Sequence, residues 1–344
     1  MNRTRRALLL LLAMTVVLIV ISLAALALGP AGITVRQTVD ILGAGPAGSA
    51  DPRFSANQFF IIWNLRLPRI LSAIVSGMAL AIAGTVFQAV FRNPMADPYV
   101  LGISSGAAFG VSLAAFLGLI DGAVGAWQVP LAAGIGALGA AFFVFTVSAG
   151  MRRSVTTLLL TGIALNFFLS AAMTLFMYLN RNQLQSVIQW SLGSFSSASW
   201  LKLRLLALIA IPPVLIIACF TREMDVLVLD EGSALSVGLP LRSMRLTLLA
   251  LSSIATAAVV SLYGIVGFVG LMVPHVVRLV VGPRHRLVLP CALLGGALMM
   301  VASDTISRTV IGASELPVGV VTSIAGAPLF IVMLANYRKG GGLR

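Results

Sequence analysis

The chain has 344 residues, of which 59% are hydrophobic and only 10% are charged, and its mean hydropathy is +1.04. A soluble domain has about 25% charged residues, so this composition excludes that class and predicts a membrane protein. The net charge of +13 would favour nucleic-acid binding in a soluble protein. Here the charged residues stand between apolar runs, so membrane topology accounts for them and no nucleic-acid partner is expected.

The apolar runs form ten segments of about the length that crosses a bilayer. The first follows three arginines and is longer than a signal-peptide core, so it is predicted to be a retained helix. Pro212 and Pro213 predict a kink or a break in the sixth segment. In chain order the segments are Ala7–Leu28, Ile70–Val90, Val100–Leu119, Val129–Ala149, Val155–Tyr178, Trp200–Phe220, Leu246–Tyr263, Gly264–Val281, Leu287–Ile306 and Val318–Ala335.

The predicted fold class is therefore all-α, a polytopic membrane protein with about ten transmembrane helices in a single domain, residues 1–344. With both termini in the cytoplasm, this topology places 15 of the 23 basic residues inside, which agrees with the positive-inside rule. A Gly/Pro-rich loop, 29–57, lies outside. The eight basic residues outside are Arg36, Arg53, Arg66, Arg69, Arg181, Lys202, Arg204 and Arg308.

Small residues recur every four positions on two of the predicted helices. Small faces of this kind let helix backbones approach closely in lipid, where the hydrophobic effect does not drive association. The alternative is that glycine and alanine are simply common in membrane helices. The two series are Ala73, Gly77, Ala81, Thr85 and Gly102, Gly106, Gly110, Ala114, Gly118.

The sequence lacks the marks of an enzyme or of a self-energised pump. It has no Gly-x4-Gly-Lys-Ser/Thr phosphate loop, and its only histidines, His275 and His285, have no cysteine or carboxylate spaced to complete a metal site. The centres of the segments are almost uncharged, and Asp304 and Arg308 are spaced to pair on one helix face. No catalytic residue, resident cofactor or metal is expected, and coupling to a proton or sodium gradient is disfavoured.

Seven motifs occur in order along the chain, and together they resemble the FecCD-type permeases. These are the transmembrane subunits of binding-protein-dependent ABC importers for ferric siderophores, haem and cobalamin. The resemblance covers essentially the whole chain. The motifs are RLPR at 66–69, FQAVFRNPMADP at 87–98, LGISSGA at 101–107, WSLGSF at 190–195, DEGSALSVGLPL at 230–241, GFVGLMVPHVVR at 267–278 and ELPVGVVTSIAGAP at 315–328.

The resemblance implies an importer permease in the cytoplasmic (inner) membrane of a bacterium or archaeon, surrounded by lipid. Its expected partners are two copies of an ATP-binding subunit, which hold the ATP and magnesium, a second copy of the permease or a paralogue, and a periplasmic or lipid-anchored binding protein. The family pathway is lined mainly by the fifth and tenth helices. The alternative function is a secondary transporter or channel that works without an ATPase, and the sequence leaves the choice of chelate or corrinoid open.

The cytoplasmic segment of about 223–242 matches the coupling helices with which the family contacts its ATPase. Its pattern agrees, since the acidic pair suits a helix start, the apolar residues form a face, and Gly-Leu-Pro ends the helix. The alternative is a solvated amphipathic connector. The predicted coupling residues are Asp230, Glu231, Ala234, Leu235, Val237, Gly238 and Leu239.

Three further sets of residues take their predicted roles from the resemblance. The cytoplasmic gate is predicted at Asn93, Met95, Ser154, Thr156 and Thr157, where Asn93 and Met95 are equally well explained as a turn cap and a packing residue. Arg66, Arg69 and Arg308 are predicted to dock the binding protein, although Arg308 could instead pair with Asp304 or Glu315 and the other two could reach lipid headgroups. A weaker prediction assigns the pathway lining to Asn166, Ser170, Thr322 and Ser323.

Overall fold

A computed structural model gives the fold, and it contains a helix in each of the ten predicted segments. Seven helices are long and apolar enough to cross a membrane, and three shorter apolar ones, Ile103–Phe116, Val269–Val281 and Val318–Val332, complete the ten. The described part of the chain contains no strand, so the all-α prediction is confirmed. The structure describes residues 3–29, 31–46, 48, 51, 53–120, 127–150, 155–180, 184–228, 241–311 and 314–339.

Fourteen α-helices are numbered here in chain order. A π-helical turn, Ile61–Arg66, joins α3 to α4, and a 3-10 turn, Pro98–Leu101, precedes α5. The helices are α1 Arg3–Ala27, α2 Val35–Ala44, α3 Ala56–Phe60, α4 Leu67–Val90, α5 Ile103–Phe116, α6 Gln128–Gly150, α7 Val155–Leu179, α8 Leu184–Ser191, α9 Trp200–Cys219, α10 Thr221–Leu227, α11 Leu241–Tyr263, α12 Val269–Val281, α13 His285–Thr309 and α14 Val318–Lys339.

The second predicted segment begins much earlier than Ile70, because helical backbone runs without interruption from Ala56 to Val90. Ser55 caps this helix by accepting the backbone N–H of Gln58. The added turns are stabilised outside the membrane core by a small apolar cluster of Ile33, Ile41, Phe59 and Ile62. The RLPR motif therefore lies inside the helix rather than opening it.

The predicted outer loop also contains a helix. α2 begins after Thr34, whose side chain accepts the backbone N–H of Gln37 while the Gln37 side chain accepts the backbone N–H of Thr34. This reciprocal pair satisfies donors at the helix start that would otherwise lack partners. α2 then contributes Ile41 to the outer apolar cluster, so part of the loop packs against the bundle.

Small-residue faces hold the bundle together, as predicted. A Cβ atom on Gly77 of α4 would lie 2.1 Å from the carbonyl oxygen of Gly296 on α13, and one on Gly106 of α5 would lie 2.4 Å from that of Gly136 on α6. Both contacts bring backbones together as only glycine allows. At the ends of the second series, Gly102 and Gly118 have positive φ angles and lie at turns flanking α5, so they are not part of its packing face.

The sixth segment is not broken, because α9 continues through Pro212 and Pro213 to Cys219. Membrane helices tolerate proline where neighbouring helices and local backbone adjustments compensate for the lost hydrogen bonds. Pro213, Val214 and Ile217 are buried against the rest of the bundle. Packing therefore holds the second half of α9 in line with the first.

Candidate functional site

The three arginines predicted to dock the binding protein lie close together at the outer end of the bundle, and they make internal hydrogen bonds. Arg66, 7% exposed, donates through Nη1 to the carbonyl oxygens of Leu26 and Ala27 at 2.7 and 3.0 Å. Arg308 donates through Nη2 to the carbonyl oxygen of Ala25 at 2.8 Å. The two guanidinium groups therefore bind carbonyls at the C-terminus of α1, where the helix leaves its last carbonyls without intrahelical partners.

Arg69 joins α4 to α13 and to the start of α14. Its Nε and Nη2 donate to Asp304 Oδ1 at 3.0 and 2.8 Å, and its Nη1 donates to both carboxylate oxygens of Glu315 at 2.9 Å. The pairing of Arg308 with Asp304 is confirmed by a distance of 3.5 Å between Nε and Oδ2. The Asp304 side chain is 1% exposed and that of Glu315 is 43% exposed. We call Arg66, Arg69, Asp304, Arg308 and Glu315 the outer arginine cluster; its docking role remains a prediction.

A polar cavity of about 630 Å³ opens beside this cluster. Its wall combines hydroxyl and amide side chains from the α8 region with Tyr263 at the end of α11 and Glu315 from the outer arginine cluster. Sequence analysis did not identify it, although the serine-rich WSLGSF motif and the residues after it were a signal. The polar lining includes Ser186, Gln189, Ser194, Ser196 and Ser197.

The turn between α4 and α5 lies at the opposite, predicted cytoplasmic end. Asn93 Oδ1 accepts the backbone N–H of Met95 at 2.9 Å, and Asp97 accepts that of Tyr99 at 2.8 Å. The Tyr99 hydroxyl donates to the carbonyl oxygen of Val266 at 2.9 Å and ties the turn to the start of α12. Burial raises the pKa of Asp97 to about 6. Asn93 thus caps the turn and Met95 is 38% exposed; their gate role remains a prediction.

Neutral partners bind the basic side chains beside this turn. Gln88 donates through Nε2 to the carbonyl oxygen of Leu271 at 2.9 Å and accepts from Arg278 through Oε1. Arg92 donates through Nε to the carbonyl oxygen of Leu227, the last residue of α10, at 2.8 Å. These contacts, which sequence analysis missed, connect α4 with α12 and with the helix that precedes the predicted coupling segment.

α10 is also fixed to α13. Asp225 Oδ1 accepts the backbone N–H of His285 at 2.8 Å and lies 2.7 Å from its Nδ1. The histidine therefore has a structural partner, and groups of three or more potential metal ligands do not occur among the described residues. The predicted coupling residues Asp230, Glu231, Ala234, Leu235, Val237, Gly238 and Leu239 lie outside the described residues.

The remaining gate and lining residues lie on α7 and α14. Thr156 is exposed and Thr157 is half-buried near the start of α7, while Ser154 lies outside the described residues. Asn166 binds the turn before α5: its Oδ1 accepts from Ser105 Oγ at 2.6 Å, and its Nδ2 donates to the carbonyl oxygens of Tyr99 and Val100 at 3.3 Å.

The other three predicted lining residues differ in exposure. Ser170 is exposed, and Ser323 is half-buried. Thr322 is fully buried and donates through Oγ1 to the carbonyl oxygen of Gly319 at 3.1 Å. A pathway role for all four lining residues stays a prediction, with Ser170 the most accessible of them.

Comparison with known proteins places this architecture in a family. The model of the FecCD transport family matches residues 15–336. The hemin transport system permease protein HmuU of Yersinia pestis is 39% identical over 288 residues, which cover 81% of this chain and 84% of HmuU. The vitamin B12 import system permease protein BtuC of Klebsiella pneumoniae is 39% identical over 291 residues, covering 83% of this chain and 86% of BtuC.

A solved structure agrees with the sequence matches. It shows an inward-facing conformation of a transporter assigned to the metal-chelate type of ABC transporter, with a TM-score of 0.83 and 30% identity. The match covers 95% of this chain and 98% of that one. Family model, relatives and fold all agree with the motifs, and the chain is a multi-pass membrane protein that belongs to the FecCD transport family, as the permease of an ABC importer.

Proposed function

We propose that this permease carries an iron chelate, either a siderophore complex or haem, or cobalamin into the cytoplasm by alternating access. The observation that carries the proposal is the match to the FecCD family over residues 15–336, together with relatives that transport hemin and vitamin B12. The substrate would arrive on an extracytoplasmic binding protein. Two permease copies, each resting on one ATP-hydrolysing subunit, would span the inner membrane of a bacterium or archaeon.

The charge distribution supports an external energy source. The segments 103–116, 128–150, 155–179 and 318–337 contain no Asp, Glu, Lys, Arg or His. Ion-coupled transporters normally carry ionisable groups inside the membrane, because such groups bind the coupling ion. Asp304, the buried carboxylate of α13, is bound by Arg69 and lies near the outer end of its helix. Energy would therefore come from ATP and magnesium held by the partner subunit, through the predicted coupling residues.

The polar cavity beside the outer arginine cluster suits the first contact with a released substrate. Its hydroxyl and amide groups offer many weak hydrogen bonds, which would bind a bulky polar chelate without holding it tightly. Docking of the binding protein would bring the substrate to this cavity. Glu315 is the member of the cluster with the most exposed side chain among the pairs measured, at 43%, so it is a candidate contact alongside the three predicted arginines.

The test is uptake into proteoliposomes that contain the permease with its ATPase and binding protein. Radiolabelled ferric siderophore, haem and cobalamin are compared with ATP inside, without ATP, and with an imposed proton or sodium gradient alone. We expect ATP-dependent uptake of one of these three classes. Uptake driven by a gradient without the ATPase would contradict the proposal and favour the secondary transporter.

An uncoupled variant sharpens this assay. Leu235→Asp places a charge on the apolar face of the predicted coupling segment, where burial without a partner is unfavourable. We expect the ATPase subunit to bind poorly or to hydrolyse ATP without transport. Ser243→Asp, an exposed position just beyond that segment, is the matched control and should transport at the parent rate. Equal transport by Leu235→Asp with normal assembly would show that the coupling assignment is wrong.

A further inference from the structure

A second cavity lies at the predicted cytoplasmic end of the bundle, between the C-terminus of α6 and the N-termini of α7 and α11. Its volume is about 450 Å³. Polar and apolar groups share its wall, which includes Ser148, Val155, Leu158, Arg242, Arg245 and Leu246. We call it the cytoplasmic cavity. It is separate from the outer polar cavity, and none of the predicted gate, docking, coupling or lining residues is among those that line it.

The cytoplasmic cavity is electropositive. Arg242 and Arg245 lie three residues apart near the start of α11, which places them on one side of the helix. The described residues of the wall include no aspartate or glutamate. An anion entering between α6 and α11 would therefore meet two guanidinium groups, which bind phosphate oxygens with a planar array of donors.

A buried hydroxyl provides a second, independent indication of a ligand. Ser148 is 2% exposed, and its Oγ has no hydrogen-bond partner. An unsatisfied buried hydroxyl is unfavourable, and most such groups in folded proteins find a partner. Because Ser148 is in the wall of the cytoplasmic cavity, a ligand oxygen placed there would satisfy it.

The start of α7 adds to the attraction for an anion. α7 has 25 residues and begins at Val155, which lies in the wall of the cavity together with Leu158. The first N–H groups of a helix lack intrahelical partners, and the helix dipole makes this end positive. Two arginines, a free hydroxyl and a helix N-terminus thus surround one space that a phosphate group would fit.

The surroundings favour a phospholipid as the source of that phosphate. The cavity lies at the end of the bundle that the charge distribution assigns to the cytoplasm, and the cytoplasmic leaflet is the one that attracts basic groups through its anionic lipids. Apolar Val155, Leu158 and Leu246 form the rest of the wall. Further into the membrane, Phe143 of α6 and Leu160 of α7 are 49% and 62% exposed, so both helices offer apolar surface to acyl chains.

We propose that the cytoplasmic cavity binds the phosphate headgroup of an anionic phospholipid, with Arg242, Arg245 and Ser148 as its ligands. The lipid would fill the space where α6, α7 and α11 meet. α7 belongs to the predicted pathway and α11 follows the predicted coupling segment, so a bound lipid would affect how these helices separate during transport. The proposal does not depend on which substrate is carried.

The test uses the full chain, purified in detergent with any subunits that accompany it, and native mass spectrometry with added phosphatidylglycerol or phosphatidylcholine. We expect phosphatidylglycerol to bind at least tenfold more tightly than phosphatidylcholine. The Arg242→Gln, Arg245→Gln double variant should lose about tenfold of the phosphatidylglycerol affinity, because it removes charge-assisted hydrogen bonds. Ser148→Ala should lose less, and phosphatidylcholine binding should not change.

Arg222→Gln is the matched control, since Arg222 is an exposed arginine at the same end of the bundle and does not line the cavity. An Arg242→Lys, Arg245→Lys variant retains the charge and keeps the test valid if the glutamine variant is unstable. Equal affinity of the parent and the glutamine variant for phosphatidylglycerol would overturn the proposal. Complete displacement of the lipid by millimolar inorganic phosphate would assign the site to free phosphate, and loss of ATPase assembly with unchanged lipid binding would assign it to the partner subunit; either result would overturn the lipid assignment.

Discussion

The two ends of the bundle treat buried charge differently. At the outer end, Arg69 binds two carboxylates, Asp304 and Glu315, so charges of both signs neutralise one another between α4, α13 and the start of α14. At the predicted cytoplasmic end, Arg278 binds the neutral side chain of Gln88 and Arg92 binds a backbone carbonyl. Breaking a buried ion pair leaves an uncompensated charge, whereas breaking a neutral contact leaves only a dipole. The outer end is therefore built to stay fixed, and the cytoplasmic end can rearrange at lower energetic cost.

The largest effect is expected from Asp304→Ala at the outer end. Removing this carboxylate leaves Arg69 and Arg308 without a buried partner, which should lower the free energy of unfolding by about 3–5 kcal/mol. Reversible unfolding in mixed detergent micelles measures this change. Adding Arg69→Met should recover part of the loss, because the double variant removes the stranded guanidinium as well. A single variant as stable as the parent would show that the outer arginine cluster does not fix this end.

Gln88→Leu tests the cytoplasmic end and should have a smaller effect. The variant leaves the carbonyl of Leu271 without its side-chain donor and Arg278 without this acceptor, which should cost about 1–3 kcal/mol in the same unfolding assay. Gln189→Leu, at an exposed position on α8, is the control and should change stability little. A loss as large as that of Asp304→Ala would remove the contrast between the two ends.

A pH titration examines the carboxylate of the cytoplasmic turn. Burial raises the pKa of Asp97 to about 6, above its model value of 3.8. The folded state then binds more protons than the unfolded state between these values, so stability should fall as pH rises from about 4 to 6 and level off above that range. Asp97→Asn keeps an acceptor for the Tyr99 N–H and should show a flatter profile than the parent. Identical pH profiles for parent and variant would contradict this account.

The smallest change in stability is expected for Arg92→Gln. Arg92 is exposed, so losing its bond to the carbonyl of Leu227 should cost less than about 1 kcal/mol. Locally, the end of α10 should open more often, since one of its ties to α4 is gone. Hydrogen exchange of the α10 amides should therefore rise, while Arg222→Gln, which keeps that tie, should leave it unchanged. Unaltered exchange in Arg92→Gln would show that the contact does not restrain α10.

The sequence predicted the framework because the framework depends on local composition. Apolar length located all ten membrane helices, and four-residue spacing of small residues identified the close contact of Gly77 with α13. The pairing of Arg308 with Asp304 followed from i, i+4 spacing. Such features are set within one helix or by one repeating face, so they can be recognised without knowing the neighbours.

Contacts between distant segments were not predictable in the same way. The Arg69 contact with Glu315 joins residues 246 positions apart, and the bond from Gln88 to Leu271 spans 183. Each side chain alone is compatible with a surface position. Only the packing of α4 against α12 and α13 brings the partners together, and the same packing turned arginines expected at the surface into buried ones. The helical extension from Ala56 was missed because its residues are too polar to be recognised as a membrane segment.

The contacts at the C-terminus of α1 also have a consequence for biogenesis. α1 is made first and exposes most of its apolar surface, yet the groups that hold its last turn come from far along the chain: Arg66, 40 residues after Leu26, and Arg308, 283 residues after Ala25. During insertion the helix would therefore cross the bilayer well before its outer end is fastened. A nascent chain released before α13 has been translated would lack one of the two fastenings, which gives membrane quality control a structural means to distinguish unfinished molecules from complete ones.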